Sequence, residues 1–147
     1  MKLFNQRFFT RAQEEEIVQS IREAELCTSG EIRVHLHTSH CTKPVLEGAL
    51  DTFYRLGMDK TALRNGVLIY LATQEKEFAV IGDQGINEKV PEGFWDSTKD
   101  KIQAHFRKGD FVAGLRDGIR EAGAQLKTYF PYDSEDENEL PDEISYD

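Results

Sequence analysis

The spacing of hydrophobic residues predicts a helix, a strand and a second helix in the first half of the chain. Apolar residues recur at helical spacing over about 10–27, where Thr10 and Gln13 form a capping box. Residues 31–37 then alternate strictly between polar and apolar side chains, which is the pattern of a β-strand. Helical spacing returns over about 44–57, beginning at Pro44, a residue suited to the first turn of a helix.

The second half of the chain predicts two strands followed by two helices. Residues 67–72 form a continuous apolar run, which is typical of a strand buried on both faces. Residues 77–81 return after a short polar turn as a third strand, so the two strands form a hairpin. A helical stripe then ends at Gly109, and Asp110 caps a last helix that reaches about residue 130.

Composition divides the chain into a nearly neutral body and an acidic end. The sequence has 147 residues, 39% of them hydrophobic, and a net charge of −9. Residues 131–147 contain eight acids and no base, so they carry most of that charge. We therefore predict one domain over 1–130, and we expect 131–147 to be an acidic, disordered tail, because such a composition buries little apolar surface.

Charge and hydropathy exclude several classes of protein. A neutral body with an acidic tail lacks the basic surface of a nucleic-acid binder. The longest apolar run is far shorter than the roughly 20 residues of a membrane helix, so no membrane insertion is expected. Residues 1–7 do not resemble a signal peptide, and the two cysteines are predicted to be free thiols. We predict a cytoplasmic monomer.

One set of histidines with a cysteine offers candidate ligands for a metal ion. His35, His37, His40 and Cys41 supply nitrogen and sulfur ligands that suit zinc, but their spacing matches no standard zinc motif. We interpret this set as the outward, polar face of the first strand. The common signatures of hydrolases, nucleotide-binding loops and metalloproteases are absent from the sequence.

The turn after the third strand is the best candidate for ligand binding. Asp83 and Glu88 flank a glycine turn, and carboxylate and carbonyl oxygens are the ligands that Ca²⁺ prefers. A crossover helix makes the first two strands parallel, so Glu31, Asn65 and Asp83 come to one edge of the sheet. Glu31, Asp83 and Glu88 would repel one another there unless a cation or a proton intervened.

Four short motifs, in order, resemble the TPM domain family over roughly residues 8–130. They are residues 28–31 (TSGE), 65–68 (NGVL), 81–86 (IGDQGI) and 106–111 (FRKGDF). The resemblance implies an α/β fold, a three-layer α/β/α sandwich with a small mixed β-sheet, and binding of a divalent cation, notably calcium, at loops on one sheet edge. It points to Glu31, Asn65, Asp83 and Asp110 as metal ligands, while Asp59 and Glu88 are added from their loop positions.

These observations lead to three hypotheses about function. The first is a calcium-responsive regulatory or interaction module for an unknown protein partner, in which a cation bridges the loop around 57–65 to the loop around 82–92. The second is a metal-dependent phosphatase, an activity proposed for some members of the family, although no arginine or lysine stands beside Asp83 in the sequence to hold a phosphate. The third is a structural interaction domain without metal, whose carboxylates only cap helices.

Overall fold

The computed structural model describes residues 8–135 and 138–147. The interpretation that residues 1–7 are no signal peptide therefore lies outside the described residues. In chain order, the helices and strands are α1 (Arg11–Glu25), β1 (Glu31–His37), α2 (Val45–Arg55), β2 (Gly66–Ala72), β3 (Glu77–Gly82), α3 (Gln84–Asn87), α4 (Asp96–Phe106), α5 (Phe111–Leu126) and β4 (Ser145–Tyr146). A 3-10 turn at Met58–Lys60 lies between α2 and β2.

The strands form one mixed sheet in the order β3-β2-β1-β4. β1 and β2 are parallel, with Glu31 opposite Gly66, as the crossover through α2 predicts. β2 and β3 are antiparallel and form the predicted hairpin, with Val67 opposite Gly82. The starts of β1 and β2 and the end of β3 therefore meet at one edge of the sheet, which we call the loop edge.

Helices cover both faces of the sheet, which confirms the predicted α/β/α arrangement. On one face, α1, α4 and α5 pack against the apolar residues of the strands in the larger core, which includes Ile17, Ile102 and Ile119. On the other face, α2 places Ala49 and Phe53 in a smaller core with side chains of β2. The alternation of residues 31–37 sends Ile32, Val34 and Leu36 to the larger core.

The prediction of a disordered acidic tail is wrong for the part that the structure describes. Leu140 is 7% exposed and belongs to the smaller core. Ser145 and Tyr146 form β4, which pairs in parallel with His35 and Leu36 of β1. The prediction failed because it considered only how much apolar surface these residues can bury, whereas polar groups of the body also bind them. We refer to residues 138–147 as the acidic segment; residues 136–137 lie outside the described residues.

The interpretation of the polar face of β1 as outward is wrong as well. The side chain of His35 is 0% exposed, and Glu31 is also buried, because α2 and the acidic segment together cover this face. Among residues 8–135 and 138–147, no helix is long and apolar enough to cross a membrane.

Candidate functional site

Asp83 lies at the loop edge and is fully engaged in polar contacts. It is the N-cap of α3, and its Oδ1 accepts a hydrogen bond of 2.7 Å from the backbone N–H of Gln84. The guanidinium of Arg64 donates two further bonds, 3.0 Å from Nε to Oδ2 and 3.1 Å from Nη2 to Oδ1. Asp83 is 3% exposed, whereas the side chain of Arg64 is 40% exposed. The objection that no cationic residue stands beside Asp83 is therefore wrong, because folding brings Arg64 to it.

Arg64 joins the two loops that the sequence analysis expected to bind a cation. Its backbone has a φ of 51°, in the left-handed region, and the carbonyl oxygens of Leu63 and Arg64 face Gly85. A Cβ on Gly85 would lie 2.2 Å from the Leu63 oxygen and 2.6 Å from the Arg64 oxygen, so only glycine fits there. The loop around 57–65 therefore contacts the loop that begins at residue 82 through its backbone.

Two predicted ligands lie at the margins of this contact. Asp59 is in the 3-10 turn, 3.8 Å from the ammonium of Lys60. Hydrogen bonding and the charge of Asp83 raise the pKa of Arg64, and the negative charge of Asp59 adds to that shift. Glu88 is exposed and accepts a bond of 3.2 Å from the side-chain amide of Gln84.

Asn65 is buried and holds the starts of the two parallel strands together. Its side-chain amide donates to the backbone carbonyl of Ser29 at 3.0 Å, and its backbone N–H donates to the hydroxyl of Thr61 at 3.3 Å. These contacts give Asn65 a structural position at the loop edge.

Glu31 is at the loop edge but faces the acidic segment. Its Oε1 accepts hydrogen bonds from the backbone N–H groups of Glu139 and Leu140, at 2.5 and 2.8 Å. Nearby, burial raises the pKa of Glu25 to about 9, helped by a hydrogen bond with Asp142 and by repulsion from Asp142 and Glu31. At neutral pH, Glu25 therefore carries a proton that relieves repulsion among these acids.

Asp110 does not reach the loop edge. It caps α5, where its side chain accepts from the backbone N–H of Ala113 at 3.2 Å. The other end of the helix lies at the loop edge, because Leu126 is in contact distance of Gly30. α5 has 16 residues, or about 24 Å at 1.5 Å per residue, so Asp110 is at the opposite edge of the sheet.

The six predicted residues thus do not form one centre. Asp59, Asp83 and Glu88 lie along the contact of the two loops, Glu31 and Asn65 bind other parts of the loop edge, and Asp110 is remote. In the part of the chain that the structure describes, no group of three or more His, Cys, Asp or Glu side chains is arranged to hold a metal ion.

A second polar cluster, missed by the sequence analysis, lies at the carboxyl ends of the parallel strands. His37 Nδ1 is 2.7 Å from Asp147 Oδ1, and Arg55 Nη2 is 2.6 Å from Asp147 Oδ2. His35 Nδ1 bonds to the hydroxyl of Ser145 at 2.7 Å, while its Nε2 lies 3.0 Å from Asp147 Oδ1 without a well-directed hydrogen bond. The sequence pattern placed His35 and His37 on one face of a strand, but it could not indicate Ser145 and Asp147, which lie 110 positions further along the chain.

Burial and charge act in opposite directions in this cluster. Burial lowers the pKa of His35, although Asp147 opposes the shift. Burial alone would raise the pKa of Asp147, but the hydrogen bond from His37 and the nearby imidazole of His35 lower it below its ordinary value. Asp147 therefore remains ionised over the physiological pH range.

The zinc set considered in the sequence is not assembled. His40 is exposed at the surface, and the thiol of Cys41 lies 3.2 Å from a carboxylate oxygen of Glu75. Burial and the contact with Glu75 raise the pKa of Cys41 to about 11, which keeps it a thiol. Both cysteines are free, as predicted.

Comparison with solved structures finds the same fold in several bacterial proteins. The NMR structure of the BA42 protein from Bizionia argentinensis has a TM-score of 0.91 and 47% sequence identity, with both chains covered in full. The N-terminal domain of a protein from P. gingivalis has a TM-score of 0.69 and 22% identity, covering 83% of this chain and 78% of the other. The N-terminal domain of the cg2496 protein from Corynebacterium glutamicum has a TM-score of 0.65 and 9% identity, covering 98% and 88%. The last two likenesses concern the fold alone.

Comparison of sequences gives the family. No curated protein sequence matches this chain. The profile of the TPM domain matches residues 4–125, which is most of its length and includes both loops of the loop edge. With its four motifs in order and an α/β/α fold shared with these bacterial domains, the chain belongs to the TPM domain family.

Proposed function

We propose that this protein is a calcium-responsive regulatory or interaction module, in which a divalent cation binds where the loop around 57–65 meets the loop around 82–92. The observation that carries the proposal is the pairing of Asp83 with Arg64. A nearly buried carboxylate at the end of β3 takes its balancing charge from a half-exposed guanidinium on the other loop. A cation between the loops would balance the same charge.

The chemistry of the surrounding groups supports a hard cation. Calcium takes carboxylate and backbone carbonyl oxygens together, so it does not require three acidic side chains. The carboxylate of Asp83 and the carbonyls beside Gly85 belong to the two loops in contact, with Asp59 and Glu88 at their margins. In this proposal Arg64 is the internal competitor, because its guanidinium already bonds to both carboxylate oxygens of Asp83.

The module would respond to calcium because the ion replaces the guanidinium of Arg64 at Asp83. Arg64 would leave Asp83 and expose its guanidinium, which changes the charge that the loop edge presents to a protein partner. A ligand shifts such an equilibrium only by its different affinity for the two states, and here that difference comes from access to Asp83. The monomeric state, the cytoplasmic location and the absence of nucleic-acid binding stay predictions.

Calorimetric titration with calcium tests this proposal directly. Asp83→Asn keeps a cap for α3 but removes the charge, so we expect calcium binding to fall at least tenfold. Arg64→Gln removes the competitor, so we expect calcium to bind more tightly than to the wild type. Asp110→Asn is the matched control, because Asp110 also caps a helix but lies at the opposite edge. Equal affinities for the wild type and the Arg64→Gln variant would contradict the exchange.

A metal-dependent phosphatase is the alternative that the position of Arg64 favours. A guanidinium beside a carboxylate can hold a phosphoryl group, which removes the objection raised from the sequence. Here, however, both of its hydrogen bonds go to Asp83. We expect no hydrolysis of an aryl phosphate above a buffer-plus-metal blank, and turnover that disappears in Asp83→Asn would support the enzyme instead.

A further inference from the structure

The acidic segment follows the polar face of β1 residue by residue. Glu31 accepts from the N–H groups of Glu139 and Leu140, and two positions further along, the charge of Glu143 acts on Arg33. The hydroxyl of Ser145 then bonds to His35. Asp147 completes the series with contacts to His37, as described above. The acidic segment and β1 therefore run side by side in the same direction over the whole length of β1.

The contacts are complementary in charge. We call the receiving surface the β1 groove; it consists of Glu31, Arg33, His35 and His37 of β1 with Arg55 of α2. Asp147 contacts His35, His37 and Arg55, and the negative charge of Glu143 acts on Arg33, while Glu31 accepts from backbone N–H groups of the acidic segment. The Nε of Arg33 is buried without a hydrogen-bond partner among the described residues, so this face still has unused capacity.

Leu140 adds an apolar anchor at the other end of the groove. Its side chain packs in the smaller core and lies within contact distance of Gly66, beside Met58. By contrast, only Ser145 and Tyr146 pair with β1 as a strand, and Tyr146 is 48% exposed. One buried leucine, a few charge pairs and a short strand at a sheet edge are the features of a bound peptide more than of a core strand.

We infer that the β1 groove is a docking site for an acidic, extended segment of a partner protein, and that the acidic segment of this chain occupies it as a displaceable internal ligand. The contacts of Leu140, Ser145 and Asp147 and the charge of Glu143 define the ligand: an apolar residue, an acid three positions later, a hydroxyl residue five positions later and an acid seven positions later. The inference does not depend on calcium, because the groove and the contact of Arg64 with Asp83 use different residues.

Tethering explains why the groove is closed in the isolated chain. A segment held near its own site by a short connection acts at an effective concentration in the millimolar range. To displace the acidic segment, a partner must therefore be present at a higher local concentration or make stronger contacts with the groove. A substitution that weakens the contacts of the acidic segment should therefore increase the affinity of the groove for an added peptide. If the segment had a purely structural role, the same substitution would not increase that affinity.

Fluorescence anisotropy with the full chain tests the inference. The probe is a labelled peptide with the sequence of residues 138–147, amidated at its carboxyl end so that it carries no additional charge. Asp147→Asn in the protein weakens the internal ligand and leaves the groove intact, so we expect the peptide to bind about tenfold more tightly than to the wild type. Asp133→Asn is the control, since Asp133 lies in the same acidic stretch but its side chain accepts from the N–H of Glu135, two residues further along the chain, rather than from the β1 groove.

A second peptide shows whether binding uses the groove. A peptide with asparagine in place of the last aspartate should bind the Asp147→Asn protein about tenfold less tightly than the first peptide. If Asp147→Asn does not fold, as judged by its thermal unfolding, Glu143→Gln takes its place with the corresponding peptide. Equal binding to the wild type and to a folded variant, or equal binding of the two peptides, would overturn the inference.

Discussion

Replacement of Leu140 by alanine tests whether the acidic segment is part of the folded domain. Leu140 is 7% exposed and packs in the smaller core. Truncation of a buried leucine costs about 2–5 kcal/mol, and we expect a value near the lower end, about 2 kcal/mol, because the segment can shift to fill part of the space. For a chain of this size, that loss lowers the midpoint of thermal unfolding by about 4–8 °C.

Urea denaturation followed by the fluorescence of Trp95, the only tryptophan, and by circular dichroism measures this loss. The matched control is Leu26→Ala, because Leu26 is 67% exposed and follows directly after α1. We expect its free energy of unfolding to stay within about 0.5 kcal/mol of the wild type. Two leucine variants of equal stability would refute the packing of the acidic segment on the sheet.

Two further predictions concern the loop edge and its neighbouring acids. Gly85→Ala should lower the free energy of unfolding by about 3 kcal/mol, because the added Cβ would overlap two backbone carbonyls. The control is Gly109→Ala, which should cost about 1–2 kcal/mol, because Gly109 has a φ of 77° but open space around it. Similar losses for the two variants in urea titrations would contradict the close contact of the loops. Glu25 holds its proton to about pH 9 in the folded state but loses it near pH 4.5 when unfolded, so its contribution to stability is lost as the pH rises through this range. Glu25→Gln keeps the neutral form, and its stability relative to the wild type should therefore increase between pH 5 and pH 8.5 in urea titrations; an unchanged difference would contradict the raised pKa.

Local patterns in the sequence were sufficient to predict most of the fold. Apolar spacing distinguishes helices from strands within about ten residues, and a helix between two strands favours parallel pairing. These signals predicted the order of α1, β1, α2, β2 and β3, and hence the meeting of Glu31, Asn65 and Asp83 at one edge. The four-residue helix α3 was missed because it is too short to show a helical period.

The remaining features depend on distant partners that no local pattern reveals. Arg64 and Asp83 are 19 positions apart on two loops, and their pairing depends on the close approach at Gly85. Composition predicted disorder for residues 131–147 because their many acids have no basic residues close to them in the sequence. Their partners come from β1, as His35 does for Asp147. Asp110 was included through its motif alone, although the length of α5 places it at the other edge.

The central claim is that a cation and Arg64 compete for Asp83, and NMR spectroscopy of the ¹⁵N-labelled protein tests it most directly. On titration with calcium, we expect the largest changes at the backbone amides around Gly85 and Arg64 and at the guanidinium Nε–H of Arg64, with no change around Asp110. Magnesium, which is smaller and retains water, should produce smaller changes. Unchanged resonances of Arg64 and Gly85 at millimolar calcium would contradict the claim.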